Sequence, residues 1–213
     1  MRVNCIIPAR IGSQRIKKKN LINYKKKPLV YWSLIQSINI KLIRQTIISS
    51  DSNEILKIAK NISNRILIDK RPKKISGNYT KTETVIKYLV KKYNLREKDY
   101  ILILQVTSPL REKKDIKKMI KVAKKFDLNT FHSANIYPRK KKILGKKNFI
   151  SLKKKETSYN NDYSYNGAVY LFKLKYFKEN NTIYEKTPNL YIMKDDNSLD
   201  IDNYKDLKEL EKR

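Results

Sequence analysis

Short apolar runs alternate with amphipathic stretches along the first 128 residues. Val3–Ile7 (VNCII) is a β-branched run that stops at Pro8, the signature of a buried parallel strand. In Pro28–Ser37 (PLVYWSLIQS) the apolar positions follow a helical period, with Pro in the first turn, where its missing N–H costs nothing. Gln45–Ser49 (QTIIS) reads as a strand. The Asp51-Ser52-Asn53 cluster that follows reads as the N-cap of a helix carrying EILKIAKNI, and Asp51 is assigned to that cap. Arg65–Ile68 predicts another strand, and Glu83–Tyr93 a helix with apolar Val85, Ile86, Leu89 and Val90. Tyr100–Gln105 (YILILQ), the most apolar segment, predicts a central strand, and Lys113–Phe126 an amphipathic helix.

The rhythm breaks after Leu128. Residues 129–165 are polar and basic with weak periodicity and read as an insertion or arm. Ala168–Phe172 (AVYLF) and Leu190–Met193 restore strand patterns, and Asn203–Lys212 closes the chain as a helix. With no internal repeat and no Gly/Ser-rich linker, residues 1–213 are expected to form one α/β domain. Its sheet should be mainly parallel and covered on both faces. Cys5 in the first strand, Trp32 on the inner face of the first helix and His132 in the strand-like TFHSA are read as packing residues.

Composition narrows the chemistry. A single Cys excludes an internal disulfide and suits a reducing compartment, and a single His excludes a zinc site built on several histidines. Nowhere do about 18 uncharged apolar residues run together, so no membrane span is expected and a cytoplasmic location is. The formal net charge is +30, which invites a nucleic-acid reading. Only ten of the fifty basic residues are Arg, however, and no zinc-finger spacing, RNP-like strand or helix-turn-helix accompanies them. A Lys-rich solvated surface that attracts anionic substrates fits better than a specific nucleic-acid partner.

In an open α/β sheet, ligands bind beyond the carboxyl ends of the strands, which directs attention to three loops. Ala9–Asn20 follows the first strand. Gly12 and Ser13 offer backbone N–H groups there, and Arg10 and Lys19 offer charge. It reads either as a triphosphate cradle or as an ordinary basic turn, and it is not a G-x-x-x-x-G-K-[ST] loop. In Gln105–Arg111 (QVTSPLR), Arg111 could hold a phosphate or carboxylate and Gln105 a polyol hydroxyl, unless the segment merely caps a helix. Asp200 and Asp202, in SLDID, share one side of an extended segment. Such a pair suits Mg²⁺, or else caps the final helix.

The order of motifs IIPARIGSQRIKKKN, ISSD, RPKKIS, LILQVTSPLR, YNGAVYLF and SLDIDNYKDLKELE resembles the acylneuraminate cytidylyltransferases, which activate sialic and related nonulosonic acids as CMP-sugars. That resemblance implies a Rossmann-like three-layer α/β/α nucleotidyltransferase fold with a projecting dimerisation arm, here within 129–165, and a homodimer. It also implies CTP and a keto-sugar acid as substrates, Mg²⁺ as cofactor and pyrophosphate as product. Carried over by position, Arg10, Ser13, Lys19 and Asn20 match the phosphate-binding signature. Arg71 matches the arginine near cytosine, and Thr82 falls where a serine often meets the nucleotide. Gln105, Arg111, Asn166 and Tyr170 match the sugar side, and Asp200 and Asp202 the Mg²⁺-binding pair. Catalytic weight falls on Lys19, Arg10 and Asp202, with Asp202 as acceptor of the sugar's proton.

Four departures accompany the match. Gln14 stands where a basic residue is usual, so one phosphate contact is either lost or moved to Arg15. Gly77-Asn78 replaces a small residue and an acid, Val106 replaces Pro, and Glu156–Tyr165 lacks the Arg-Gln-x-x-Pro pattern of sialic-acid enzymes. The substrate is therefore expected among pseudaminic, legionaminic or other keto-sugar acids. An eight-carbon keto-acid sugar, or a basic protein that binds nucleotide or nucleic acid without catalysis, are the competing readings. Magnesium-dependent pyrophosphate release from CTP and a sugar acid favours an enzyme, and salt-sensitive RNA binding without CTP-dependent activity the non-catalytic protein.

Overall fold

The computed structural model describes residues 1–138, 149–151 and 161–213. In chain order its elements are β1 (Val3–Pro8), β2 (Asn23–Tyr24), β3 (Lys27–Pro28), α1 (Leu29–Ile38), β4 (Gln45–Ser50), α2 (Asn53–Ile62), β5 (Ile66–Lys70) and α3 (Thr82–Lys92). There follow β6 (Tyr100–Leu104), α4 (Lys113–Lys125), β7 (Thr130–Pro138), β8 (Phe149–Ser151), β9 (Asn161–Lys173), α5 (Leu174–Asn180), β10 (Asn189–Ile192) and α6 (Tyr204–Glu211). Eight strands form one sheet in the order β5-β4-β1-β6-β9-β7-β10-β8, and β2 and β3 form a small hairpin.

The period of two in β1 decides the layering. Val3, Cys5 and Ile7 pack on one face with Leu34 of α1, Ile55 of α2, Ile120 of α4 and Leu210 of α6. Ile6 points the other way and packs with Leu89 of α3 and Phe177 of α5. The result is a three-layer α/β/α domain whose core strands are covered on both sides, which is why they are rich in apolar residues. Complete burial of a side chain such as Leu102, with no exposed surface, stabilises the fold by about 2 kcal/mol before entropy is counted.

β5, β4, β1 and β6 run parallel. The chain builds outward from β1 to β4 and β5 over α1 and α2, then crosses back over the opposite face through α3 to place β6 on the other side of β1. The order thus reverses between β1 and β6, which opens a crevice above their carboxyl ends. Two of the three candidate loops, Ala9–Asn20 and Gln105–Arg111, leave from that point.

The second half corrects the sequence reading. Residues 129–165 are not all an insertion. β7 (Thr130–Pro138) and β9 (Asn161–Lys173) are long antiparallel neighbours inside the main sheet, with a bulge between His132 and Ala134. Their apolar signal is diluted because Thr130, His132, Ser133 and Asn166 are buried polar residues. The arm expected there falls, for the rest, on 139–148 and 152–160, outside the described residues. Helix α5 and the β2–β3 hairpin were also not foreseen. His132 is a packed residue as expected, donating from Nε2 to the Ile183 carbonyl at 2.7 Å. Burial lowers its pKa from 6.5 to about 4, so the ring is neutral at pH 7.

Candidate active site

The first loop is tied down at both ends. Ala9 N–H donates to the Ser49 carbonyl at 2.9 Å, and the side-chain amide of buried Asn20 donates to the Arg10 carbonyl at 2.8 Å. Ile11 N–H donates to Asp51 Oδ1 at 2.8 Å. This last bond corrects the assignment of Asp51. The N-cap of α2 is Ser52, whose hydroxyl accepts from Ile55 N–H, and Asp51 instead anchors the loop after β1. Residues 19–21 form a turn of 3₁₀ helix entered through Lys18 in the left-handed region (φ 51°). That turn carries Lys19 inward, leaving its side chain only 15% exposed.

The loop before α6 meets Lys19 from the other side. Ile201 N–H donates to the Thr107 carbonyl at 2.8 Å, docking the Asp200–Asp202 segment beside the end of β6. Lys19 Nζ donates to the Ile201 carbonyl and to Asp202 Oδ1 at 3.2 Å, and Arg15 lies 3.4 Å from Asp202 Oδ2. Asp202 does not cap the last helix. Asn203 does, in a capping box with Asp206, which leaves the Asp202 carboxylate to its cationic neighbours.

These segments enclose a cavity of about 310 Å³. Of the residues expected to act, Arg10, Ser13, Lys19, Asn20, Arg71, Thr82, Gln105 and Asp202 line it, and Arg15 joins them. Four cationic side chains from loops at the carboxyl ends of the strands thus face one carboxylate, a balance that only an anionic ligand completes. Arg10 Nη1 donates to Asn78 Oδ1 at 2.7 Å, so the neutral Asn78 holds the group without cancelling its charge. Arg71 is 5% exposed. Its Nε donates to Ser49 Oγ at 3.1 Å and its Nη2 to the Ser49 carbonyl at 2.7 Å, and desolvation lowers its pKa.

Four expected residues lie outside the cavity wall. Arg111 is buried beneath it (1% exposed). Its Nη1 donates to the carbonyls of Gln105 at 2.6 Å and Ala168 at 3.1 Å, and its Nη2 to Ser33 Oγ. It braces the loop after β6, and its guanidinium is not presented to a ligand in this structure. Asn166 Oδ1 accepts from Ser133 Oγ at 2.6 Å and from Ala168 N–H at 3.2 Å, while its amide donates to Asn135 Oδ1 at 3.1 Å. Those bonds close the irregular pairing of β7 with β9. Tyr170 packs edge-on to His132, with centroids 5.1 Å apart.

Asp200 is half-buried against Gly167, beyond the cavity wall. Gly167 has φ +74°, and a Cβ there would sit 3.2 Å from Asp200 Oδ2, so both backbone freedom and close approach require glycine. Burial raises the pKa of Asp200, the Thr107 hydroxyl opposes that by hydrogen bonding, and the charge of Asp202 raises it again. A half-buried carboxylate whose ionisation is disfavoured by a neighbouring acid fits a divalent cation, whose charge relieves it. Among the described residues no group of three His, Cys, Asp or Glu gathers, so such a cation would need oxygens other than side-chain carboxylates to complete its shell. Sequence reasoning missed Thr80, Val85 and Thr107 in the wall. Only the position of Thr107, directly after a central strand, could have signalled it.

A family model described as cytidylyltransferase matches residues 4–212. The chain is similar to the bifunctional pseudaminic acid cytidylyltransferase and UDP-2,4-diacetamido-2,4,6-trideoxy-beta-L-altropyranose hydrolase of Helicobacter pylori, 34% identical over 55% of this chain and 22% of that one. It therefore spans about a fifth of that relative's length. To the CMP-N,N'-diacetyllegionaminic acid synthase of Campylobacter jejuni it is 28% identical over 97% of this chain and 92% of the relative. Its backbone is similar to that of CMP:2-keto-3-deoxy-manno-octonic acid synthetase complexed with CTP, with a TM-score of 0.69 at 11% identity, covering 100% of this chain and 98% of that one. With the reversal of strand order between β1 and β6, the cationic cavity above it and a match that runs almost end to end, the chain belongs to the cytidylyltransferase family of nucleotidyltransferases.

Proposed function

We propose that the protein transfers CMP from CTP to the anomeric hydroxyl of a nonulosonic acid, releasing pyrophosphate in a Mg²⁺-dependent reaction. The observation that carries this reading is the cavity itself, where Arg10, Arg15, Lys19 and Arg71 converge opposite Asp202. In the reaction the sugar oxygen attacks the α-phosphorus, a new P–O bond forms, and the bond to the β-phosphate oxygen breaks. Arg10, Arg15 and Lys19 bind the phosphates and hold them in line, aided by Ser13 at the turn. Asn20 acts beneath them by fixing the Arg10 carbonyl. Arg71 and Thr82 serve the nucleoside end, and Gln105 faces the sugar.

Asp202, exposed on one side, receives the proton of the attacking hydroxyl. Asp200 and Asp202 would hold Mg²⁺, which would supply charge to shield the triphosphate and the departing pyrophosphate. No catalytic histidine is needed, which agrees with His132 being buried and neutral in another part of the sheet. Among nonulosonic acids, pseudaminic- and legionaminic-type sugars are favoured by the names of the similar proteins and by the missing Arg-Gln-x-x-Pro pattern before Asn166. A cytoplasmic homodimer completes the proposal, and no helix of the described residues is long and apolar enough to cross a membrane.

The test is a pyrophosphate assay with CTP, MgCl₂ and a panel of pseudaminic, legionaminic, N-acetylneuraminic and eight-carbon keto acids. Turnover with one of the nine-carbon acids, abolished by EDTA, is expected. Turnover with the eight-carbon acid alone, or salt-sensitive RNA binding without turnover, would replace the proposal.

A further inference from the structure

A buried carboxylate outside the cavity has partners that lead to the cavity wall. Asp69, in β5, has no exposed surface. Its Oδ2 accepts from Ser49 Oγ at 2.7 Å. Its Oδ1 accepts from Tyr88 OH at 3.0 Å and from Lys92 Nζ at 2.6 Å. Ser49, also fully buried, sits across the β4–β5 ladder directly opposite Asp69 and holds Arg71 through its hydroxyl and its carbonyl.

A serine hydroxyl has one proton and two lone pairs. Since an ionised carboxylate only accepts, that proton must point to Asp69, which turns the lone pairs of Ser49 toward Arg71 Nε. With Nε and Nη2 both engaged on Ser49, the planar guanidinium has one orientation. The charge arrangement matters equally. Lys92 neutralises Asp69, and a neutral hydroxyl, not a carboxylate, touches Arg71. Arg71 is thereby oriented without a direct ion pair, and its positive charge stays available to the ligand it faces.

We infer that Asp69 and Ser49 are positioning residues, a relay from Lys92 and Tyr88 that sets the guanidinium plane of Arg71 for recognition of the nucleotide. This rests on the reading of the cavity as the CTP site. Neither residue touches substrate, so the relay should govern nucleotide affinity and leave the chemical step alone.

The experiment measures CTP and sugar-acid KM and kcat for Arg71→Ala, Ser49→Ala, Asp69→Asn and the Ser49→Ala/Asp69→Asn pair, with thermal unfolding recorded for each. Arg71→Ala is expected to raise CTP KM by about tenfold. Ser49→Ala and Asp69→Asn are each expected to raise it by about fivefold, with kcat and sugar KM within about twofold of wild type. The pair should be no worse than either alone, because both cut one chain. Should Asp69→Asn fail to fold, Ser49→Ala, which deletes only a hydroxyl, carries the test. If Arg71→Ala weakens CTP while Ser49→Ala keeps the wild-type KM, the relay is overturned and the cavity reading stands. If Ser49→Ala lowers kcat and weakens both substrates alike, the residue is merely structural and the relay is overturned. If Arg71→Ala itself leaves CTP binding unchanged, the cavity reading falls and the relay with it.

Discussion

The two halves of the sheet treat polar groups in opposite ways. In the parallel half, the cations that reach the cavity, Arg10, Lys19 and Arg71, sit in loops beyond the ends of β1 and β5, and the one carboxylate inside these strands, Asp69, is paired with Lys92. In the antiparallel half, β9 and β7 bring polar residues into the sheet. Ser133, Asn166, Thr130 and His132 are buried there and neutral, each hydrogen-bonded to a neighbour. The parallel half keeps its loop cations for a ligand, and the antiparallel half satisfies its buried neutral groups internally. The segment bearing Asp200 and Asp202 lies between them, with Asp202 facing Lys19 on the first side and Asp200 against Gly167 on the second.

That contrast can be broken first where the halves meet. Asp200→Ala should lower kcat on the order of a thousandfold while the fold persists, since it removes half of the proposed metal site. Near-normal turnover in the variant would show that the antiparallel side contributes no charge to the reaction.

His132 offers the next largest effect. Its folded pKa of about 4 lies below the ordinary 6.5. The unfolded chain therefore binds the proton more readily, stability is full above pH 6.5, and it is lost as the pH falls toward 4. The loss should total about 3 kcal/mol. Urea unfolding between pH 7 and 4 should show this slope, and His132→Gln should remove it. An unchanged slope in the variant would assign the acid sensitivity elsewhere.

Gly167→Ala sharpens the comparison at a single atom. The φ of +74° is unfavourable for alanine by about 1–2 kcal/mol, and the new Cβ would press on Asp200. Calorimetry should show a lower Tm, and kcat should fall by about tenfold because the carboxylate is displaced. Stability lost with full activity would separate the glycine from the site.

The smallest effect belongs to the parallel half. Asp51→Asn should raise CTP KM by about threefold to fivefold, with sugar KM unchanged, because Ile11 N–H loses a charged acceptor and the first loop loosens. Equal changes in both Michaelis constants would place Asp51 in general stability.

By itself the sequence determined the parallel half and the identity of its loops. β1, β4 and β6 are buried on both faces, so apolar residues dominate their centres, and the basic loop after β1 follows its strand directly. It also singled out Asp200 and Asp202 by their two-residue spacing, while packing sets Asp202 toward Lys19 in the cavity and Asp200 against Gly167 beyond its wall. The antiparallel half was not legible. A buried Thr, His, Ser or Asn reads as exposed until its partner is known, and those partners lie about fifty residues away for Thr130 and His132 and about thirty for Ser133 and Asn166. The same limit hid the roles of single residues. Arg111 looked like a ligand group and is a buried brace, and Asp51 looked like a cap and is a loop anchor. Asp69 carried no signal at all. Whether a polar side chain serves a ligand or the fold depends on which donors and acceptors surround it, and only the packed chain brings those together.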